Sequence, residues 1–163
     1  MTRDTIDLLL ANLAPPRGRA WHGGPPPVGA VRGVTAREAR TVPRGSRHSI
    51  WSLTLHLAYW KYAVRRHFEP VEPGSFPRSP ANFPRVPARP DEAAWKADRA
   101  LLATEHRRLA EAIAAFDPAR LGERSDSARR WTYGELIVGS LLHDAWHAGQ
   151  VQLLKRMVRP GGR

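Results

Sequence analysis

The sequence predicts an all-α fold, a bundle of four amphipathic helices. Apolar residues recur at three- and four-residue steps in four separate stretches, the spacing that lines one side of a helix. Capping residues and prolines stand at the ends of those stretches, and no run alternates polar with apolar residues as a half-buried strand would. With 163 residues, 42% of them apolar, the chain can bury a core, and one domain over residues 1–163 is the expectation.

In chain order, Ile6, Leu9, Leu10 and Leu13 mark a first helix over residues 3–13, ended by Pro15-Pro16. From there to about Arg47 glycine and proline dominate. Thr35 and Glu38 have the spacing of a capping box, which allows a short helical turn. Trp21-His22-Gly23 forms an aromatic-imidazole pair on this loop, placed either to dock over a pocket or to plug the end of the core. Ser49 caps the second helix, which runs to about Phe68 with Leu53, His56, Leu57, Trp60 and Val64 in its apolar stripe. Seven prolines between Glu69 and Pro90 exclude regular helix or central strand. A stiff connection of that length can return along a bundle, so helices two and three should be parallel. The third helix is capped by Asp91 and runs to about Phe116, with Trp95, Leu102, Leu109 and Phe116 at a seven-residue period and His106 and Ile113 in the same stripe. Asp117-Pro118 stops it. Thr132 and Glu135 form a capping box for the fourth helix, which continues through Leu136, Leu142, His143, His147, Val151 and Leu154 to about Met157.

Charge and cysteine content narrow the function classes. The formal net charge is +11, with arginine supplying all but three of 26 basic residues. The arginines are spread along the chain without a long basic block, which favours a solvated basic surface over a nucleic-acid site. The absence of cysteine excludes disulfides, thiolate metal sites and cysteine nucleophiles, leaving histidine and carboxylate as transition-metal ligands. The first apolar run is short and flanked by Asp4 and Asp7, so no targeting segment is expected and the protein reads as cytoplasmic, with no membrane partner.

His143 and His147 are the organising feature. Four residues apart on a helix, their rings lie about 6 Å apart along the axis and about 40° around it, close enough to reach one ion. Two histidines hold a metal weakly, and a third ligand from another helix is required. His56 is the candidate. If helices two and four run antiparallel, with Phe68 level with Thr132, His56 falls level with position 144. His106 is a further candidate, although its polar neighbours place it at the edge of its stripe and a structural role reads first.

Ser49-Ile50-Trp51 leading to His56, together with His143-Asp144-Ala145-Trp146-His147-Ala148-Gly149-Gln150 followed by Leu153-Leu154, resembles the DinB/YfiT superfamily over most of the chain. The Trp21-His22-Gly23 loop resembles a subgroup of it. The resemblance implies an up-down-down-up four-helix bundle with His56, His143 and His147 binding a divalent metal. Three neutral imidazoles leave the charge of an ion uncompensated, so it acts as a Lewis acid toward a water, thiolate or carboxylate. The expected function is therefore a metal-dependent enzyme on a small-molecule substrate: a hydrolase or, by the same resemblance, a transferase of a low-molecular-weight thiol. Asp144, Glu105 and Gln150 are candidates for acid–base work or for orienting the ligands. The alternative is a bundle that binds metal without turnover, with His106 or His22 closing the shell, and a basic nucleic-acid binder is the third reading. Imidazole suits zinc, nickel, copper and iron alike, so the metal is not named. Release of the ion is expected below about pH 6, from the ordinary imidazole pKa of about 6.5. Phe76, Phe83, Trp21 and His22 are expected nearest the open coordination positions. Trp51, Trp60, Trp95 and Trp146 suggest more aromatic surface than one bundle needs, hence a homodimer.

Overall fold

A computed structural model describes residues 3–15, 24–69, 74–125 and 130–159. Among these residues the fold is all-α, with six helices and no strand. Four helices are long: α1 (Arg3–Leu13), α4 (Ile50–Arg65), α5 (Glu92–Ala115) and α6 (Tyr133–Val158). Two are short, α2 (Pro27–Ala30) and α3 (Ala36–Arg40), and a 3-10 turn spans Pro118–Gly122. The local start signals act as their chemistry dictates. Thr35 with Glu38 and Thr132 with Glu135 both form reciprocal capping boxes, and Asp91 accepts from the Ala94 amide. Ser49 does more than cap, since Ser52 bonds back to its amide and completes another box. At its far end α4 stops at Arg65, three residues short of Phe68. There the chain tightens, with the His67 and Phe68 amides bonding to the Val64 and Arg65 carbonyls.

Two apolar clusters form the core. One joins α2, α3, the first half of α4, the start of α5 and the end of α6; the other gathers Ile6, Leu13, Val64, Leu109, Ile113 and Ile137. α4 is the central element because it is buried nearly all round, Lys61 and Arg65 included. Its neighbours show how it lies. Trp51 packs on Trp95 and donates to Asp98, Arg65 pairs with Glu105, and Phe68 meets Phe116, so the contacts advance together along α4 and α5. Along α6 they advance in opposite senses: His56 meets His147, Lys61 meets Ser140, and Phe68 meets Tyr133.

The aromatic count that suggested excess surface needs correction. Trp51 and Trp95 are both 0% exposed and pack with ring centroids 5.1 Å apart and planes tilted by 53°, with their indole N–H groups bonded to Asp98 and the Val34 carbonyl. Trp60 and Trp146 do stand in solvent, and so does Leu142, which the helical stripe of α6 had assigned inward. No helix among the described residues is long and apolar enough to cross a membrane.

Candidate metal centre

His56 sits in the middle of α4, and His143 and His147 stand one turn apart on α6. The opposite running of the two helices brings the three rings together. One ring nitrogen from each lies within 4.8 Å of the others, and His56 is buried while its partners are half-buried. The Nε2 atoms of His56 and His143 face each other at 3.0 Å. Two imidazole nitrogens at that separation either share one proton or present their lone pairs to a common acceptor.

Hydrogen bonds fix two of the three tautomers. His56 Nδ1 lies 2.8 Å from the Asn82 carbonyl oxygen, which can only accept, so Nδ1 carries the proton and Nε2 keeps its lone pair. His147 Nδ1 donates in the same way to Gln150 Oε1 at 2.7 Å, one turn further along α6. Phe83 lies between two imidazoles, stacked on His56 at 4.1 Å and on His48 at 4.6 Å. Asn82 also accepts from the Trp60 indole. It holds a left-handed backbone (φ 68°), which asparagine tolerates better than other side-chain-bearing residues.

All three rings are kept neutral. Burial pushes each pKa below the ordinary imidazole value, and His143, with burial the larger cause and the neighbouring imidazoles and Lys61 adding to it, falls to about 3. The donor set is therefore three uncharged imidazoles without carboxylate or thiolate. It fits zinc, nickel or iron and does not fit calcium or magnesium, which take oxygen ligands. Imidazole–metal bonds of about 2.1 Å set tetrahedral donors about 3.4 Å apart, within the span of this cluster.

The other sequence candidates fall in three places. Gln150 is at the cluster, through His147. Asp144 is fully buried and faces the interior, where it receives the Lys61 ammonium at 2.5 Å. Burial pushes Lys61 down and Asp144 up, each opposed by the charge of the other. Glu105 is held by Arg65 and Arg108. His106 is not in the histidine cluster; burial lowers its pKa to about 4, with Lys61 the next cause. Phe83 lies against the cluster as expected, whereas Phe76 packs on Tyr59 and Tyr62. Trp21 and His22 fall outside the described residues.

A cavity of about 600 Å³ opens beside the histidines and follows the α4–α6 groove past Trp60, Val64, Leu136 and Gly139 to Trp131. Sequence reasoning missed Asn82, Phe83's second partner His48, and Lys61. Asn82 left one signal, a lone amide side chain inside a proline-rich run. Lys61 left none beyond an unexpected charge amid apolar residues.

The sequence profile of the DinB superfamily matches residues 28–151, which include α4, α5 and all three histidines. The chain belongs to the DinB superfamily. Neither a curated protein nor a solved structure matches it. For a DinB-superfamily chain the histidines are the residues to weigh first, because they alone among the described residues form a cluster of three or more possible metal ligands.

Proposed function

We propose that this DinB-superfamily chain binds one divalent metal ion through His56, His143 and His147 and uses it in a metal-dependent reaction of the thiol-transferase or hydrolase type. The observation that carries this reading is the convergence of three neutral imidazoles beside an open cavity. Three protein ligands with free positions facing a pocket is the pattern of catalytic rather than structural sites. A divalent ion there would supply Lewis-acid chemistry to an oxygen or sulfur atom of the substrate. The chain's own residues supply the rest. Asn82 and Gln150 hold the rings in the ligating tautomer, and Phe83 limits the swing of His56. Lys61 donates to Ser140 Oγ on the cavity wall, which leaves the Ser140 hydroxyl hydrogen available to the cavity's occupant.

The paired contacts of α4 with α5 and α6 support an up-down-down-up four-helix bundle as the frame, folded as one domain. The exposed apolar face of α6 supports a homodimer. Metal analysis of purified protein tests the core of this reading: about one equivalent of zinc, nickel or iron is expected, and His147→Ala should lose it while retaining helical circular dichroism, because alanine is the better helix former. A full equivalent retained by His147→Ala would refute the three-histidine site. Turnover of a nitrophenyl ester, or of an electrophile with a low-molecular-weight thiol, separates the two reaction types.

A further inference from the structure

The cavity beside the histidines has a composition that the chain as a whole would not suggest. The protein carries 26 basic residues and a net charge of +11, yet among the described residues no lysine or arginine lines this cavity. Its walls are Trp60, Val64 and Leu136, with indole rings of Trp131 and Trp146 at its edges. Apart from the histidines, the single ionisable group on the wall is a carboxylate, Glu135, whose Oε2 already accepts from both the Thr132 amide and hydroxyl.

Gly139 gives an independent indication. It sits inside α6, where glycine costs about 1 kcal/mol relative to alanine. A Cβ built on it would meet nothing within 4 Å, so tight packing against another helix does not require it. Gly139 lines the cavity one turn from His143, and its bare backbone widens the groove at the point where an occupant bound at the histidines would extend.

We infer that the cavity receives an uncharged, apolar substrate body of roughly aromatic-ring width, lying over Gly139 between Trp60 and Leu136, and that it excludes bodies bearing a second anionic group. This rests on the metal-site reading for the substrate's reacting head, which the ion would hold, but the preference for the body belongs to the walls alone. A carboxylate carried along this groove between Trp60 and Leu136 would lose its hydration to apolar walls and approach Glu135; no lysine or arginine is among the described lining residues, and the nearby Arg130 guanidinium is stacked over the Trp131 ring at 5.2 Å.

The test compares phenylmethanethiol with 4-(sulfanylmethyl)benzoate, which share a thiol head and differ by one remote carboxylate. In calorimetric titration of the zinc-loaded protein, phenylmethanethiol is expected to bind at least about tenfold more tightly. Gly139→Leu should erase that difference by filling the groove while keeping one equivalent of zinc and an unchanged or higher melting temperature. Equal or tighter binding of the benzoate, or a preference that survives Gly139→Leu, overturns the inference. Should the protein take up no zinc, the metal reading fails separately. Phenylmethanol against benzoate on the metal-free protein, followed by the tryptophan indole N–H resonances, then decides the cavity's preference: selective shifts with the alcohol uphold it, and equal or absent response to both overturns it.

Discussion

Gln150 shows how much of the proposed metal centre would lie outside its ligands. Its amide oxygen takes the Nδ1 proton of His147, so the opposite ring nitrogen is the one with a free lone pair. Removing such a partner typically costs about 10- to 100-fold in metal affinity. Gln150→Ala should therefore weaken zinc binding at least about tenfold in a competition titration with a chromophoric chelator, with no loss of helix; affinity equal to the wild type would show that the bond does not position the ring. The proton balance also follows from single residues. His143 at about 3 and His106 at about 4 lie below the unfolded value of about 6.5. Between about pH 6.5 and 4 the unfolded chain takes up protons that the folded chain refuses, so stability of the metal-free protein falls as pH falls through that window. Urea midpoints at pH 7 and pH 5 check this, and an unchanged midpoint would contradict it. The lowered pKa of each of the three proposed ligands, His56, His143 and His147, revises the expected acid release of metal. Protons compete less well for these rings than for free imidazole, so the ion should be retained at pH 6 and lost only further down. Half-loss at or above pH 6.5 would show that the rings titrate as free imidazoles.

Among the elements, the α4–α6 seam combines the site with its most demanding structural feature. About one and a half turns beyond His56 on α4, Lys61 is 1% exposed, and its ammonium is balanced by Asp144 and also donates to Ser140 Oγ. The second oxygen of Asp144 has no partner among the described residues. Truncating one member of such a pair leaves the other charge stranded in the core, at a cost of about 3–5 kcal/mol, whereas replacing both with apolar residues is often neutral. Lys61→Met alone should thus lower the unfolding free energy by about that amount in urea titration, and the double variant Lys61→Met/Asp144→Leu should recover most of it; a single variant as stable as wild type would show the pair to be dispensable. This pair also marks where sequence reading stops. The capping boxes at Thr35 and Thr132 and the cap at Asp91 were legible because each closes within four residues. The His56–His143–His147 convergence was legible through helix register and the family resemblance. The Lys61–Asp144 pair spans 83 positions and the His56–Asn82 bond spans an irregular segment, and neither leaves a periodic trace. Trp60 and Trp51 show a related limit. α4 is buried on nearly every side, so a single-stripe reading placed Trp60 inward and passed over Trp51, which is the one fully enclosed.

At the scale of the whole molecule, more than half of the large exposed apolar residues among those described lie on one helix, the others being Leu8, Val42, Trp60 and Trp131. Val138, Leu142, Trp146, Leu153 and Met157 recur at steps of four and seven along α6, with Leu142 67% and Trp146 70% exposed. A stripe of this kind on a helix that is apolar on its inner side as well is the surface on which a second copy would pack. Sedimentation equilibrium at micromolar concentrations should give a dimer, and Leu142→Glu should give a monomer with wild-type metal content. A wild-type monomer throughout that range would remove the proposal. Elsewhere the surface stays basic, with a net charge of +11, although some of its arginines are paired with carboxylates: Arg78 with Asp98, Arg107 with Glu111, Arg120 with Glu123 and Arg159 with Glu38.

The distance along the chain between His56 and His143, 87 positions, has a kinetic consequence. Neither α4 nor the proline-rich segment that orients His56 contains more than one member of the cluster, so no early local intermediate can assemble it. During synthesis His56 and its partner Asn82 are both added to the chain before any residue of α6. The cluster closes only when the last helix docks antiparallel along α4, after the entropy of that long loop has been lost. Ion uptake by refolding protein should therefore lag behind helix formation and coincide with burial of Lys61, which makes it a clock for the final docking step.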